Sequence, residues 1–485
     1  MEQLKPNADA IANTIAQRRN HPEPEHQRHP RICPRTERPL ERPMNTTPDT
    51  PERPAPVSFA QALKFWFWLG CVSFGGPAGQ IALMHEELVV RRRWISEKRY
   101  LHALHYCMLL PGPEAQQLAT YTGWLMHGTR GGMAAGALFV LPSLVLLIAL
   151  SWAYTVWGQH PWGQALLWGL KPAVTALVLQ AVHRMAKRTL KAPWLWALAA
   201  ASLLGTLWGL SFPWIILGSA LLGYGMARHR PVAAASHGAA NAAPHVPAWL
   251  DDDTAQPAHT HYSHARLVRA LLLGVGLWAV SLGGIALLLG TAHTLTQMGG
   301  FFTQAALLTF GGAYAVLPFV TQAAVMQYGW LSATQMMDGL ALGESTPGPL
   351  IIVVAFVGFI GGHSQALLGN PLLGGIAAAC VVTWFTFLPS FVFILAGGPL
   401  VEATRHMPSL AGPLQGITAA VIGVVLHLAG TFAWHTVWPT GQWTQADWPA
   451  LALTALAAWL LITRQWPVMR VLAICVLVGM GVQWV

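Results

Sequence analysis

From residue 58 to its end the chain alternates long apolar runs with short polar connections. The runs 132–157, 267–289 and 372–396 are each long enough to cross about 30 Å of hydrocarbon. They are apolar on every side rather than along one face, which excludes a large soluble helical core. The pattern predicts nine spans, at 131–157, 164–184, 193–209, 211–227, 266–290, 372–397, 411–433, 448–463 and 467–484. Four more apolar segments are interrupted: 59–90 at Gly75-Gly76-Pro77, 101–127 at Pro111-Gly112-Pro113, 300–328 at Gly311-Gly312, and 336–361 at Pro347-Gly348-Pro349. Proline removes an amide donor and glycine is a poor helix former, so each interrupted segment divides into two half-helices.

The interruptions repeat. Phe74-Gly75-Gly76, Trp94-Ile95-Ser96 and Pro111-Gly112-Pro113 recur as Phe310-Gly311-Gly312, Trp330-Leu331-Ser332 and Pro347-Gly348-Pro349, all at one offset, 310 − 74 = 236. Three matches in register indicate an internal duplication. It continues in Phe139-Val140-Leu141-Pro142-Ser143, answered by Phe387-Leu388-Pro389-Ser390, and in His183, answered by His427; the second half carries about a dozen extra residues around 362–374. Doubled, interrupted apolar segments are how secondary transporters build a site near the membrane midplane. Six segments, one odd span and six segments invert the second half. The expected fold is an all-α polytopic membrane protein of two homologous halves in inverted orientation. Its parts are a disordered tail (1–57), an N-terminal transmembrane domain (58–227), a cytoplasmic linker (228–265), a connecting span (266–290) and a C-terminal transmembrane domain (291–485). The tail is rich in Pro, Arg and Glu, with nearly balanced charge (9 − 8 = +1) and no apolar h-region of a signal peptide. Met44 offers a shorter start.

Only 10% of residues are charged and 54% are hydrophobic, against about 25% charged in soluble domains. Most of the net charge of +9 therefore lies in the loops of the membrane region. Loop 85–100 holds Arg91, Arg92, Arg93, Lys98 and Arg99, while its counterpart 321–336 holds no Lys or Arg. Lys and Arg mark cytoplasmic loops, so the two loops should face opposite sides. A simple crossing by 59–90 would put the Arg-rich loop outside. Re-entrant hairpins that return to their own side remove the conflict, and place Arg130, Lys187, Arg188, Lys191, Arg228, Arg230, Arg405, Arg464 and Arg470 on the cytoplasmic face as well. Thirteen full crossings are the alternative. Arg91–Arg93 reads first as a topology anchor and second as an anion trap.

The five cysteines are scattered and form no CxxC pair, so no metal site, cofactor or disulfide framework is expected. The histidines between His229 and His264 read as part of a solvated linker. The chain has no phosphate-binding loop ending in Lys-Ser/Thr and no nucleophile–base arrangement, which argues against an enzyme or an ATP-driven pump. The expected surroundings are a lipid bilayer and no nucleic acid; a homodimer is left open.

Irregular backbone at membrane depth survives only against protein or a water-filled cavity. Half-helices starting after Gly76-Pro77-Ala78-Gly79 or after Pro113 would point free amides and a positive dipole end at the midplane, which suits an oxyanion. Ser73, Gln80, Gln116, Gln117, Thr309, Ser345 and Thr346 stand beside the breaks as hydrogen-bonding groups without permanent charge. Lys171 lies about two turns inside its span and is the candidate intramembrane cation; Lys64, nearer a segment start, snorkels. Glu114 follows one Pro-Gly-Pro, where it can also cap its half-helix. Glu344 precedes the other, where the dipole disfavours its charge. Both are proton-coupling candidates. The Trp residues near span ends, such as Trp157, Trp162, Trp194, Trp438 and Trp448, form interfacial belts.

Ser73-Phe74-Gly75-Gly76-Pro77, then Trp94-Ile95-Ser96 and Leu110-Pro111-Gly112-Pro113, resemble the signature of the chromate ion transporter (CHR) family. Thr309-Phe310-Gly311-Gly312 through Gly329-Trp330-Leu331-Ser332 to Thr346-Pro347-Gly348-Pro349 is similar to that family's C-terminal domain. The resemblance covers about 58–485 and matches the long, two-domain form. It implies a secondary carrier of the bacterial inner membrane that expels chromate and confers resistance, energised by the membrane potential or by proton antiport. Sulfate, likewise a tetrahedral dianion, is the competing substrate. By motif the implied substrate-binding residues are Phe74, Gly75, Gly76, Pro77, Pro111, Gly112 and Pro113 with their second-half equivalents Phe310, Gly311, Gly312, Pro347, Gly348 and Pro349. One departure matters: Pro77 aligns with Ala313, so the first break is expected to contribute more to anion binding. An oxyanion-uptake carrier and an anion channel are the rival readings.

Overall fold

The computed structural model describes residues 53–229, 246–254, 257, 259–403, 411–439 and 441–483. The expected disorder of the tail, Met44, Cys33, Arg230 and Arg405 fall outside them. Helices fill the described chain. In the first half these are α1 (Phe59–Val72), α2 (Gly76–His85), α3 (Glu97–Leu109), α4 (Glu114–Trp157), α5 (Pro161–Thr189), α6 (Pro193–Leu207) and α7 (Phe212–His229). The connecting span is α8 (His264–Leu289). The second half holds α9 (Thr294–Leu308), α10 (Leu317–Thr321), α11 (Ala333–Ser345), α12 (Val353–Ser364), α13 (Pro371–Ala403), α14 (Ala411–Val437), α15 (Trp448–Ile462) and α16 (Val468–Gln483). Each predicted span has its helix. Among the described residues, five helices are long and apolar enough to cross a bilayer: Glu114–Trp157, Pro161–Thr189, His264–Leu289, Pro371–Leu400 and Gly412–Val437. The chain is a multi-pass membrane protein.

The duplication extends to fine backbone detail. Both halves carry a π-helical turn, Glu86–Arg91 and Gln322–Gln327, at the same offset (322 − 86 = 236). Ser96 and Ser332 cap α3 and α11 by accepting from the amides of Arg99 (3.3 Å) and Gln335 (3.1 Å). The extra residues of the second half fall where α4 is kinked at His127 and Gly128; there α12 and α13 are separate helices.

The interrupted segments are re-entrant. The Val57 carbonyl, before α1, accepts from His127 Nε2 at 3.0 Å, and His127 lies at the kink where α3 and the first part of α4 have finished their excursion. Trp94, between the two excursions, meets Phe65 of α1 with ring centroids 5.1 Å apart. Start, middle and end of 57–127 therefore lie on one face, which thirteen crossings would forbid. In the second half the Thr294 hydroxyl donates to Gln365 at 2.6 Å, and Trp330 sits against Phe301 and Gly361. These hairpins open on the other face: Tyr154, near the far end of α4, donates to Asp338 of α11 at 3.0 Å. The first-half face bears Arg91, Arg92, Arg130 and Lys187, and the positive-inside rule reads it as cytoplasmic.

Two expectations are corrected. Residues 246–254 do not run free in solvent: Ile95 and Leu250 form a β-bridge, Ser96 donates to Asp252 at 3.0 Å, and Ala248, Leu250 and Asp251 are buried. A stretch rich in Asp folds back here because the Arg- and Lys-bearing loop supplies its partners, Lys98 on Asp252 (3.8 Å) and Arg99 on the Thr254 carbonyl (3.1 Å). The second break also yields no half-helix equal to the first. α2 begins at Gly76 with Pro77 in its first turn, whereas Ala313–Ala315 is a 3₁₀ turn and α10 has only 5 residues. Proline's fixed φ starts a helix at once; alanine in its place does not impose that start.

Candidate functional site

The two breaks meet at the centre and hold each other. The Gly112 amide donates to the Thr309 carbonyl at 2.7 Å, and the Gly348 amide donates to the Ser73 carbonyl at 2.7 Å. These are one contact seen twice, since 348 − 112 = 309 − 73 = 236. Each Pro-Gly-Pro also lies against a serine of the other half: a Cβ on Gly112 would stand 2.5 Å from Ser390 Oγ, and one on Gly348 would stand 1.7 Å from Ser143 Oγ. Both glycines have positive φ, +122° and +103°, which excludes side chains a second time. These two amides are spent on joining the halves.

Free hydrogen-bonding capacity lies elsewhere around the crossover. Ser73 Oγ, Gln80 Oε1, Gln116 Oε1, Gln117 Oε1 and Ser143 Oγ are buried without a partner. Their amide nitrogens are committed. Gln80 Nε2 donates to the carbonyls of Gly348 and Ser73, and Gln117 Nε2 donates to the Pro111 carbonyl (2.7 Å) and Ser390 (3.3 Å). Gln116 donates to Thr120 at 3.0 Å. The second-half candidates are satisfied by their own helices: Thr309 donates to Ala305 (2.6 Å), Ser345 to Leu342 (2.8 Å) and Thr346 to Gly343 (2.8 Å). A buried polar atom left unpaired costs about 1–3 kcal/mol, so a cluster of five marks a place built for a polar occupant.

A cleft of about 730 Å³ reaches this place from the basic face. Its floor is Phe74 and Gly75 of the first break, and its walls carry His183, Arg184, Lys187 and Arg188 from the last turns of α5. α2 starts here with its first amides uncapped by any side chain. Phe74 is exposed into the cleft, whereas Phe310 packs against the core. Gly311 faces Thr418, and Gly76 and Gly312 have open space around them. Pro113 and Pro349 start the helical turns that follow their loops, and Pro347 sits within its turn without a helix of its own.

The carboxylates take up ordered positions. Glu344 Oε1 accepts from the Tyr314 hydroxyl, and Arg184 is the cation whose field reaches both. Glu114 lies within the field of Arg188. On the opposite side Asp338, 3% exposed, accepts from Tyr154 on Oδ2 while Oδ1 is unpaired, and Lys171 is the cation acting on it. Lys171 is thus within electrostatic reach of a carboxylate of α11. Arg91 and Arg92 are held by Glu87 (3.1 and 3.0 Å), with Arg92 also stacked over Phe65 and Trp94, so both guanidinium groups are already engaged within the protein. Lys64 lines a shallow surface hollow with Arg92 near its hairpin's open end. No group of three His, Cys, Asp or Glu is placed to hold a metal among the described residues.

Sequence reasoning missed Arg184, Tyr314 and Asp338. Asp338 carried a signal, a carboxylate inside an apolar interrupted segment. Tyr314 and Arg184 carried none, because only packing brings α5, the second break and the end of α11 together.

A family profile described as chromate transporter matches residues 60–224 and 296–480, covering both halves. The chain is 35% identical over 393 residues to a chromate transport protein of Pseudomonas aeruginosa, covering 79% of this chain and 83% of that one. It is 28% identical over 388 residues to a chromate transport protein of Cupriavidus metallidurans (79% and 85% covered). It is 26% identical over 441 residues to an uncharacterised transporter of Methanocaldococcus jannaschii (90% and 98% covered). No solved structure matches the chain significantly.

Proposed function

The chain belongs to the chromate transporter family, and on that premise we propose that it is a secondary carrier exporting chromate from the cytoplasm across the bacterial inner membrane, giving chromate resistance. The observation that supports this reading most is the basic cleft ending on Phe74 and Gly75, next in the chain to Ser73, whose buried hydroxyl is unpaired and free to donate. Arg184, Lys187 and Arg188 raise the local concentration of a dianion. At the crossover the dianion exchanges water for the Ser73 hydroxyl and the first amides of α2, which stabilise negative charge. Glu344, sharing Arg184's field, keeps the net positive charge low, so the dianion is held weakly enough to leave.

Energetics favour the outward direction. A dianion leaving a cell that is negative inside gains about 4.6 kcal/mol per 100 mV, from ~2.3 kcal/mol per charge, which sustains a gradient of roughly 2,000-fold. The potential alone therefore drives export. Sulfate uptake, the second reading, has to overcome the same term. It would need protons travelling inward with the anion, for which Glu344, Glu114 and Asp338 supply sites. Expression in a chromate-sensitive host with radiolabelled chromate decides the direction: lower accumulation and higher tolerance are expected, and greater accumulation with greater sensitivity overturns export. Counterflow in proteoliposomes addresses the channel reading, because a trans gradient of substrate accelerates a carrier only. Glu344→Gln is expected to strengthen chromate binding and slow turnover; unchanged binding and turnover would remove Glu344 from the mechanism.

A further inference from the structure

A second large concavity, about 1010 Å³, lies outside the crossover, between α4, the connecting span α8 and α13. Leu141, Leu144, Leu273, Leu277 and Phe387 give it an apolar wall. Arg266 and Arg269, in the first turns of α8, stand at its mouth on the basic face, next to His259 and Trp124. From Arg266 to Leu277 the helix rises about 16 Å, close to the half-thickness of a hydrocarbon core of about 30 Å. The concavity is thus one leaflet deep, greasy below and cationic at the headgroup level. Burial lowers the affinity of His259 for a proton, so at neutral pH the two arginines carry the charge of the mouth. Arg266 is oriented by the carbonyls of His259 and His261, both at 3.3 Å, while Arg269 is exposed and forms no ion pair among the described residues.

We propose that this groove binds one anionic phospholipid of the cytoplasmic leaflet, its phosphate at Arg266 and Arg269 and an acyl chain along α8. A basic pocket between spans on the cytoplasmic side suits such a headgroup. Charge complementarity at the mouth and a depth matching one leaflet select this occupant. α8 is otherwise a weakly held element, with no residue fully buried by the rest of the protein, so a lipid seated between it and α13 would brace the span that joins the two halves.

The full-length protein, purified in mild detergent, is titrated with phosphatidylglycerol and with phosphatidylcholine, and bound lipid is counted by native mass spectrometry alongside Tm. One phosphatidylglycerol is expected to bind preferentially and to raise Tm. Each arginine contributes roughly fivefold, so Arg269→Gln should weaken that binding about fivefold and leave phosphatidylcholine unaffected. Ala270→Trp, which fills the groove while keeping both arginines, should also displace the lipid. Equal binding of the two lipids, binding unchanged in both variants, or equal stabilisation by inorganic phosphate would overturn the proposal. So would a dimer that excludes lipid from the groove, since that makes a second copy the occupant.

Discussion

In the first half the break is surrounded by neutral polar side chains that each keep one buried oxygen unpaired: Ser73, Gln80, Gln116 and Gln117. In the second half the same backbone carries Thr309, Val316, Ile352 and Val353, one hydroxyl turned back on its own helix and three apolar side chains. Apart from Glu114, whose counterpart is Leu350, the acids near the breaks are distributed the other way. α11 holds Asp338 and Glu344, whose counterparts on α3 are His102 and Met108. An ancestral pair of equal hairpins has become a polar cradle facing a pair of buried carboxylates. The backbone had to remain the same in both, because Gly112 and Gly348 close reciprocal bonds. The side chains were free to diverge, because a single small anion need not meet both breaks through the same groups. The comparison teaches that the conserved geometry joins the halves, and that chemistry resides in what differs between them.

The backbone part of this comparison is broken most severely at Gly348. Gly348→Ala adds a Cβ 1.7 Å from Ser143 Oγ at φ +103°, and strain of about 1–2 kcal/mol together with overpacking of about 1–3 kcal/mol should largely prevent folding. Membrane levels and Tm report this, and adding Ser143→Ala should return only the steric part. Next comes the cradle. Ser73→Ala removes a candidate donor to a charged ligand and should reduce chromate transport by about 10–100-fold, from about 1.5–3 kcal/mol. Thr309→Ala, whose hydroxyl serves Ala305, should stay within about twofold. Equal losses in radiolabelled uptake by vesicles would erase the asymmetry. A smaller effect is expected at the acids: Asp338→Asn should change the pH profile of transport, with rates altered by several-fold, whereas His102→Asn on the equivalent turn of α3 should leave the profile alone. Smallest is Lys98→Gln. Its exposed pair with Asp252 at 3.8 Å contributes about 0–1 kcal/mol, so Tm should barely move and transport should not.

Much of the fold was legible because it is written in punctuation. Gly75, Gly112, Gly311 and Gly348 announce the breaks, and the Lys and Arg content of loop 85–100 against 321–336 announces both re-entry and inversion. The missing proline at Ala313 marked the two breaks as unequal, but not that the second would keep only a 5-residue helix. The site was only partly legible. Ser73, Gln80 and Gln116 were visible as polar residues beside a break, but nothing local separates them from Thr309 and Thr346, whose hydroxyls their own helices consume. The folding back of 246–254 was hidden for a related reason: an Asp- and His-rich stretch looks solvated until its partners, Ser96, Lys98 and Arg99, arrive from 150 residues away in the chain.

The sequence by itself determined the membrane class, the duplication, the inverted halves and the positions of the four breaks. Hydrophobic length, Gly and Pro conformational limits and charge bias are properties of short stretches and need no partners. Tertiary structure alone decided what the breaks are for. Only with both halves docked do Gly112 and Gly348 spend their amides on Thr309 and Ser73, which leaves the first-half side chains as the free polar groups. Only then do Arg184, Tyr314 and Glu344, drawn from three separate segments, come to share one electrostatic environment. Hydrogen-bond satisfaction and Coulomb interactions depend on which groups are neighbours across the fold, and that proximity is not encoded in any single segment.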